Sequence, residues 1–183
     1  MKPIFYLILF ITILNISCDS NQSIEISNNK LAKEQQRIIE KKNEFDNLYV
    51  KAPNSIKKDE IQKQFDTWLT SYFRDTLNGK IKDFYVKVND VSSGLFQNRF
   101  YFVTADFRTD NGMRFFEEGD FKTEKEMKKY LLYNKILNVK EHSNAKLNAT
   151  FNKLDDFNAS DLGSSSIRFR TISISVDTVL NSN

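Results

Sequence analysis

Cys18, His142 and the acidic run Glu117-Glu118-Gly119-Asp120 are the residues from which any chemistry of this chain would have to be built. Cys18 is the only cysteine and His142 the only histidine. A nucleophilic Cys/His pair would need both, and Cys18 stands at the end of an apolar run. His142 lies in Lys140-Glu141-His142-Ser143-Asn144, a polar loop or strand start where a solvated ring is expected. The acidic run falls in the connection expected before a short helix. Glu117, Glu118 and Asp120 offer the groups of an acid/base pair or an oxygen cage for a cation, but they lack the ligand spacing of a calcium loop. Asp155-Asp156 offers less. No nucleophile elbow, phosphate loop, zinc-ligand set or dinucleotide fingerprint occurs. The expectation is a non-enzymatic binding module with no catalytic residue, metal site or cofactor.

Composition narrows the partner. The 183 residues carry 27 Lys and Arg against 24 Asp and Glu. That balance is too even for a general nucleic-acid binder, whose affinity rests on clustered cations that release phosphate counterions. With 16 Phe and 7 Tyr there is ample aromatic surface for a core. A lone cysteine cannot close an intramolecular disulfide, so the fold must stand on packing.

Met1-Lys2 gives a short positive start, followed by a nearly unbroken apolar run from Ile4 to Leu14. The run has signal-peptide length and is short of the roughly 20 apolar residues that span a bilayer. Ending in Ser17-Cys18, it resembles the bacterial lipoprotein signal peptide. The resemblance implies cleavage before Cys18, a leader of residues 1–17, and lipid on the Cys18 thiol. It departs from that family in having Asn15 where a Leu is favoured, with Leu14 one place further back. The implied address is the bacterial cell envelope, on the periplasmic or outer-membrane face, with residues 18–29 as a Ser- and Asn-rich tether.

Residues 30–79 read as two helices. Lys30 to Tyr49 lacks Gly and Pro and spaces Leu31, Ile38 and Phe45 by seven. The companion positions are Glu, Gln and Lys, so an oligomerising coiled-coil seam would be half polar; a helix leaning on its own domain satisfies the same pattern. Pro53 ends it, and Asn54 or Ser55 can cap the next. Ile61, Phe65, Trp68, Leu69, Tyr72 and Phe73 then form one face of a 3.6-residue helix, predicted to bury Phe65 and Trp68 on a sheet. Lys63, Asp66, Thr70 and Arg74 take the opposite face, and Asn78-Gly79 supplies a left-handed stop.

After Gly79 the period becomes two. Ile81 to Val91 reads as a strand with Phe84, Val86 and Val88 inside and Lys82 in phase with them. A turn at Leu95-Phe96-Gln97-Asn98 leads to a second strand, Phe100 to Phe107. Thr109-Asp110-Asn111-Gly112 predicts a tight hairpin turn, with Met113 to Phe116 returning. Thr123 to Glu126 is a capping box opening a helix that buries Met127, Tyr130 and Leu131. Ala145, Leu147, Ala149 and Phe151 alternate with polar residues as a half-buried strand. A polar loop from Asp155 to Ser166 follows. Ile167 and Phe169 begin the last strand, and Ile172, Ile174 and Val176 continue it one step out of phase, predicting a bulge near Arg170.

The order over residues 80–177 is strand, strand, strand, helix, strand, strand, with 178–183 as a tail. It resembles the OB-fold, a five-stranded antiparallel barrel with one helix between its third and fourth strands, and is similar to small exported domains grouped with anticodon-binding relatives. An α+β roll with helices on a curved antiparallel sheet gives the same string. The resemblance implies a ligand face on the second and third strands, supplied here by Phe100, Tyr101 and Phe102 and flanked by Arg99, Arg108 and Arg114. Given the implied address, the expected ligand is a protein, a peptide or a glycan rather than a nucleic acid.

Overall fold

A computed structural model of the chain describes residues 31–155 and 165–181. The leader, Cys18, the 18–29 tether and Asp156 lie outside the described residues.

Helix α1 (Lys33–Val50) leans on its own domain. Ile38 is fully buried, and the Phe45 ring stands edge-on to Phe65 with centroids 5.5 Å apart. Helix α2 (Ser55–Ser71) begins where Asn54 accepts a hydrogen bond from the Lys57 amide at 2.9 Å, satisfying a first-turn donor. Its stripe of Ile61, Phe65 and Leu69 is buried, and the helix then widens into a single π-helical turn, Tyr72–Thr76. That turn aims Phe73 at the sheet, where it stacks on Phe151 at 4.9 Å. Trp68 is stacked on Phe65 and Tyr72 and packs, partly buried, against the core. Asn78 (φ 50) and Gly79 (φ 71) reverse the chain as expected.

Strands β1 (Lys80–Phe96), β2 (Phe100–Arg108), β3 (Arg114–Phe121), β4 (Asn144–Leu154) and β5 (Thr171–Asn181) close a barrel in the order β1-β2-β3-β5-β4. The N-terminal helices and this OB-like barrel follow the sequence reading. All seams are antiparallel except β3–β5, which is parallel and runs for three residue pairs. Between β3 and β4 stand two short helices where one was expected, α3 (Glu124–Lys129) and α4 (Leu131–Ile136). The capping box at Thr123 and Glu126 forms, but Tyr130 turns extended (ψ 135) between the helices. Leu131 consequently faces solvent and Leu132 takes the buried place. The core is filled from all five strands, and each fully buried Phe, such as Phe84, Phe107 or Phe115, contributes about 1.5–3 kcal/mol.

Several boundaries differ from expectation, each for a local reason. β1 runs past Val91 to Phe96, and its turn is Gln97 to Arg99, with Gln97 and Asn98 at positive φ. Within it Asp83 (φ 53) bulges, so Ile81 and Phe84, three apart, both face inward and Lys82 does not. Asn148 holds the bulge by accepting from the Asp83 amide at 2.8 Å. β3 continues through Glu117-Glu118-Gly119-Asp120, which is strand and not connection. Ile167 to Arg170 is not strand. Its apparent phase slip arises because this segment laces onto the helices, with the Ile167 amide donating to Asp46 at 2.6 Å and the Arg168 amide to Gln62 at 3.1 Å. β5 reaches Asn181, taking in most of the expected tail.

Candidate ligand-binding face of the barrel

Register defines the outer face of β1, β2 and β3 row by row. The first row is Lys87, Arg108 and Arg114; the second Asp90, Asp106 and Phe116; the third Ser92, Thr104 and Glu118; the fourth Gly94, Phe102 and Asp120. Phe96 and Phe100 complete it on the hairpin. Along β2 the face runs nine residues from Phe100 to Arg108, roughly 26 Å at strand rise.

One end is apolar. The β1–β2 hairpin carries Leu95 and Phe96 nearly half exposed, at 46% and 47%. Phe96 packs against Phe100 with centroids 5.4 Å apart. Phe102 lies beside Gly94, its register partner on β1, with ring atoms 3.5 and 3.7 Å from where a Cβ would stand. Of the three consecutive aromatics expected to form the face, Phe100 and Phe102 do so. Tyr101 does not: alternation turns it inward with Val103, Ala105 and Phe107, where it pairs across from Phe121 and packs on the core.

The other end is cationic. Lys87, Arg108 and Arg114 stand opposite one another on adjacent strands, where directly facing like charges repel. Asp106 offsets this from the next row. Almost fully buried, it accepts from Arg114 Nε at 2.9 Å, Arg108 Nη2 at 3.1 Å and Asn89 Nδ2 at 2.8 Å. The Arg114 guanidinium also lies 5.2 Å from the centre of the Phe116 ring. Both arginines are thus oriented while part of each remains open to solvent. Arg99 is exposed in the hairpin turn, at the far end from its two expected companions, so the three arginines do not converge.

The acidic run splits across β3. Glu118 and Asp120 face outward, whereas Glu117 faces the barrel interior. Glu117 accepts a hydrogen bond from the Tyr130 hydroxyl at 2.8 Å and another from the buried Val176 amide. The Tyr130 phenol is pushed up to about 12, first by burial and then by its bond to Glu117. No group of three or more metal-ligating side chains occurs among the described residues. His142 is exposed in the turn before β4, where positive φ (60) lets its amide reach the Val88 carbonyl.

Sequence reasoning missed Phe96 and Phe116. The signal for Phe96 was available, since extending β1 five residues past Val91 places it beside Phe100. Phe116 was visible only once β3 was known to pair with β2 through Asp120. Comparison of the chain with known protein families, curated proteins and solved structures found no match in any of the three.

Proposed function

We propose that this chain is a non-enzymatic binding module of the bacterial cell envelope, tethered by lipid on Cys18 and capturing an extended protein, peptide or glycan along β2. The observation that carries the binding reading is the outer face itself. The exposed Phe96, with the half-buried Phe100 and Phe102 beside it, shares one outer face with the Lys87–Arg108–Arg114 row, two rows lying between, whose two arginines are oriented by Asp106. Aromatic faces supply stacking area and the guanidinium groups receive acidic groups, so the fitting partner is long and amphiphilic. The address rests on the apolar run that ends at Cys18. The helix-mediated oligomer reading is less favoured because Ile38 and Phe45 of the seven-residue stripe are occupied within the domain.

A photoactivatable residue installed at position 102 in living cells should yield a discrete adduct, and the same residue at position 152 on the far wall should not. Phe100→Ala should diminish the adduct. Equal labelling from both positions would overturn the assigned face. Loss of palmitate incorporation in Cys18→Ser tests the address separately.

A further inference from the structure

We propose that a cleft between α2 with its π-helical turn and the end of β4 with the segment leading into β5, remote from the β2 face, binds a small hydroxylated phosphate ester. The cleft measures about 550 Å3, the size of a small-molecule site. One wall is a single face of α2 and the π-helical turn that follows it, on which Lys63, Thr67, Thr70 and Arg74 recur at near-helical spacing. Lys153 and Arg170 form the other.

Among the described residues, charge in the cleft is unbalanced: the one lining carboxylate, Asp66, is buried and already engaged, accepting from Arg170 Nε at 2.8 Å and Gln62 Nε2 at 3.0 Å. Lys153 pairs with Asp155 at 3.3 Å. Lys63 and Arg74 make no ion pair among the described residues and keep all their donors for a ligand. The hydroxyls specify more than charge. Thr67 donates to the Lys63 carbonyl at 2.9 Å and Thr70 to the Asp66 carbonyl at 2.8 Å, so each spends its proton inside the helix and offers only lone pairs to the cleft. An oxyanion suits the cations, and a ligand hydroxyl suits the threonines. A molecule bearing both satisfies the whole wall.

The test is titration calorimetry on the full chain in detergent with glycerol 3-phosphate, inorganic phosphate and glycerol, at matched ionic strength. Saturable binding is expected for the ester, tighter than for phosphate, with none for glycerol. Lys63→Gln and Arg74→Gln should each weaken it about tenfold, as expected for a charge-assisted hydrogen bond. Thr70→Val should weaken the ester and leave phosphate unchanged. Lys87→Gln and Arg108→Gln, on the barrel face, should change nothing here, which separates this site from the proposed partner face. Absence of saturable binding, or equal loss in all four cation variants, would overturn the proposal. Retention on phosphatidylglycerol vesicles without binding of the soluble ester would also overturn it, assigning the cleft to a membrane surface.

Discussion

Replacing Glu117 by alanine should be among the more damaging single substitutions in the barrel. The parallel β3–β5 seam pairs only Arg114 to Phe116 with Thr171 to Ser173, and beyond it the strands separate. There the Glu117 carboxylate substitutes for a missing ladder acceptor by receiving the Val176 amide, while Lys135 Nζ donates to the Val176 carbonyl. Val176 is 2% exposed, so in Glu117→Ala its amide has no water to turn to, and an orphaned buried donor costs about 1–3 kcal/mol. The Tyr130 hydroxyl, partly exposed, recovers most of its lost bond from solvent and adds about 0.5–1 kcal/mol. The expected total is about 1.5–4 kcal/mol, against a typical domain stability of about 5–15 kcal/mol. Tyr130→Phe leaves the Val176 bond intact and should cost only about 1 kcal/mol. Urea unfolding measures both, provided the denaturant slope is unchanged. A Glu117→Ala cost under about 0.5 kcal/mol, or one equal to that of Tyr130→Phe, would refute the claim that the carboxylate completes the seam.

The same pair predicts an alkaline limit. An unfolded tyrosine titrates near 10, whereas Tyr130 is held up to about 12, so its contribution is complete below pH 10 and is lost as pH rises through 12. Tyr130→Phe should flatten that decline in pH-dependent unfolding. Asp106→Ala should destabilise the barrel by about 1–2 kcal/mol at low salt and less in 1 M NaCl, because the Lys87–Arg108–Arg114 row is then opposed only by solvent. A salt-independent loss would show that the row's repulsion is not what Asp106 offsets. Gly119→Ala should cost about 1–3 kcal/mol, since an added Cβ would lie 2.7 Å from the Phe121 ring and 3.0 Å from Tyr130. Gly94→Ala, whose Cβ meets Phe102 at an ordinary 3.5 Å, should fold with a melting temperature near that of the native chain.

What the sequence displayed clearly was whatever depends on period alone. The α2 stripe, the β4 alternation, the Thr123 capping box and the hairpin at Gly112 all form where pattern and local chemistry agree. Polar residues doing interior work were hidden. Helical spacing places Asp66 on the face of α2 opposite the apolar stripe, yet it is buried, because the segment leading into β5 crosses that face and brings Arg170 to it. Its carboxyl titrates above the usual range, chiefly through burial and against the pull of Arg170. Glu117 to Asp120 reads as connection because its inward-facing polar side chain is a carboxylate whose partners, Tyr130 and Val176, lie further along the chain. The candidate face was half legible. Strand alternation places Phe100 and Phe102 together, but which side of β2 faces the core is fixed by pairing and not by β2 alone.

Gln35 of α1 carries a further implication for how the chain can be dissected. Fully buried, its side-chain amide donates to the Tyr85 carbonyl at 3.0 Å and accepts from the Tyr85 amide at 2.9 Å, in the manner of a neighbouring strand. The β2 pairing of β1 begins only at Lys87, so this amide shields a stretch of backbone that would otherwise stand open. A barrel shortened to begin near Lys80 would therefore present an unguarded sheet edge, the template for strand addition between molecules. Self-association of such a fragment would report the lost guard and not a native oligomer, and Gln35→Leu in the intact chain should reproduce the tendency with α1 still in place.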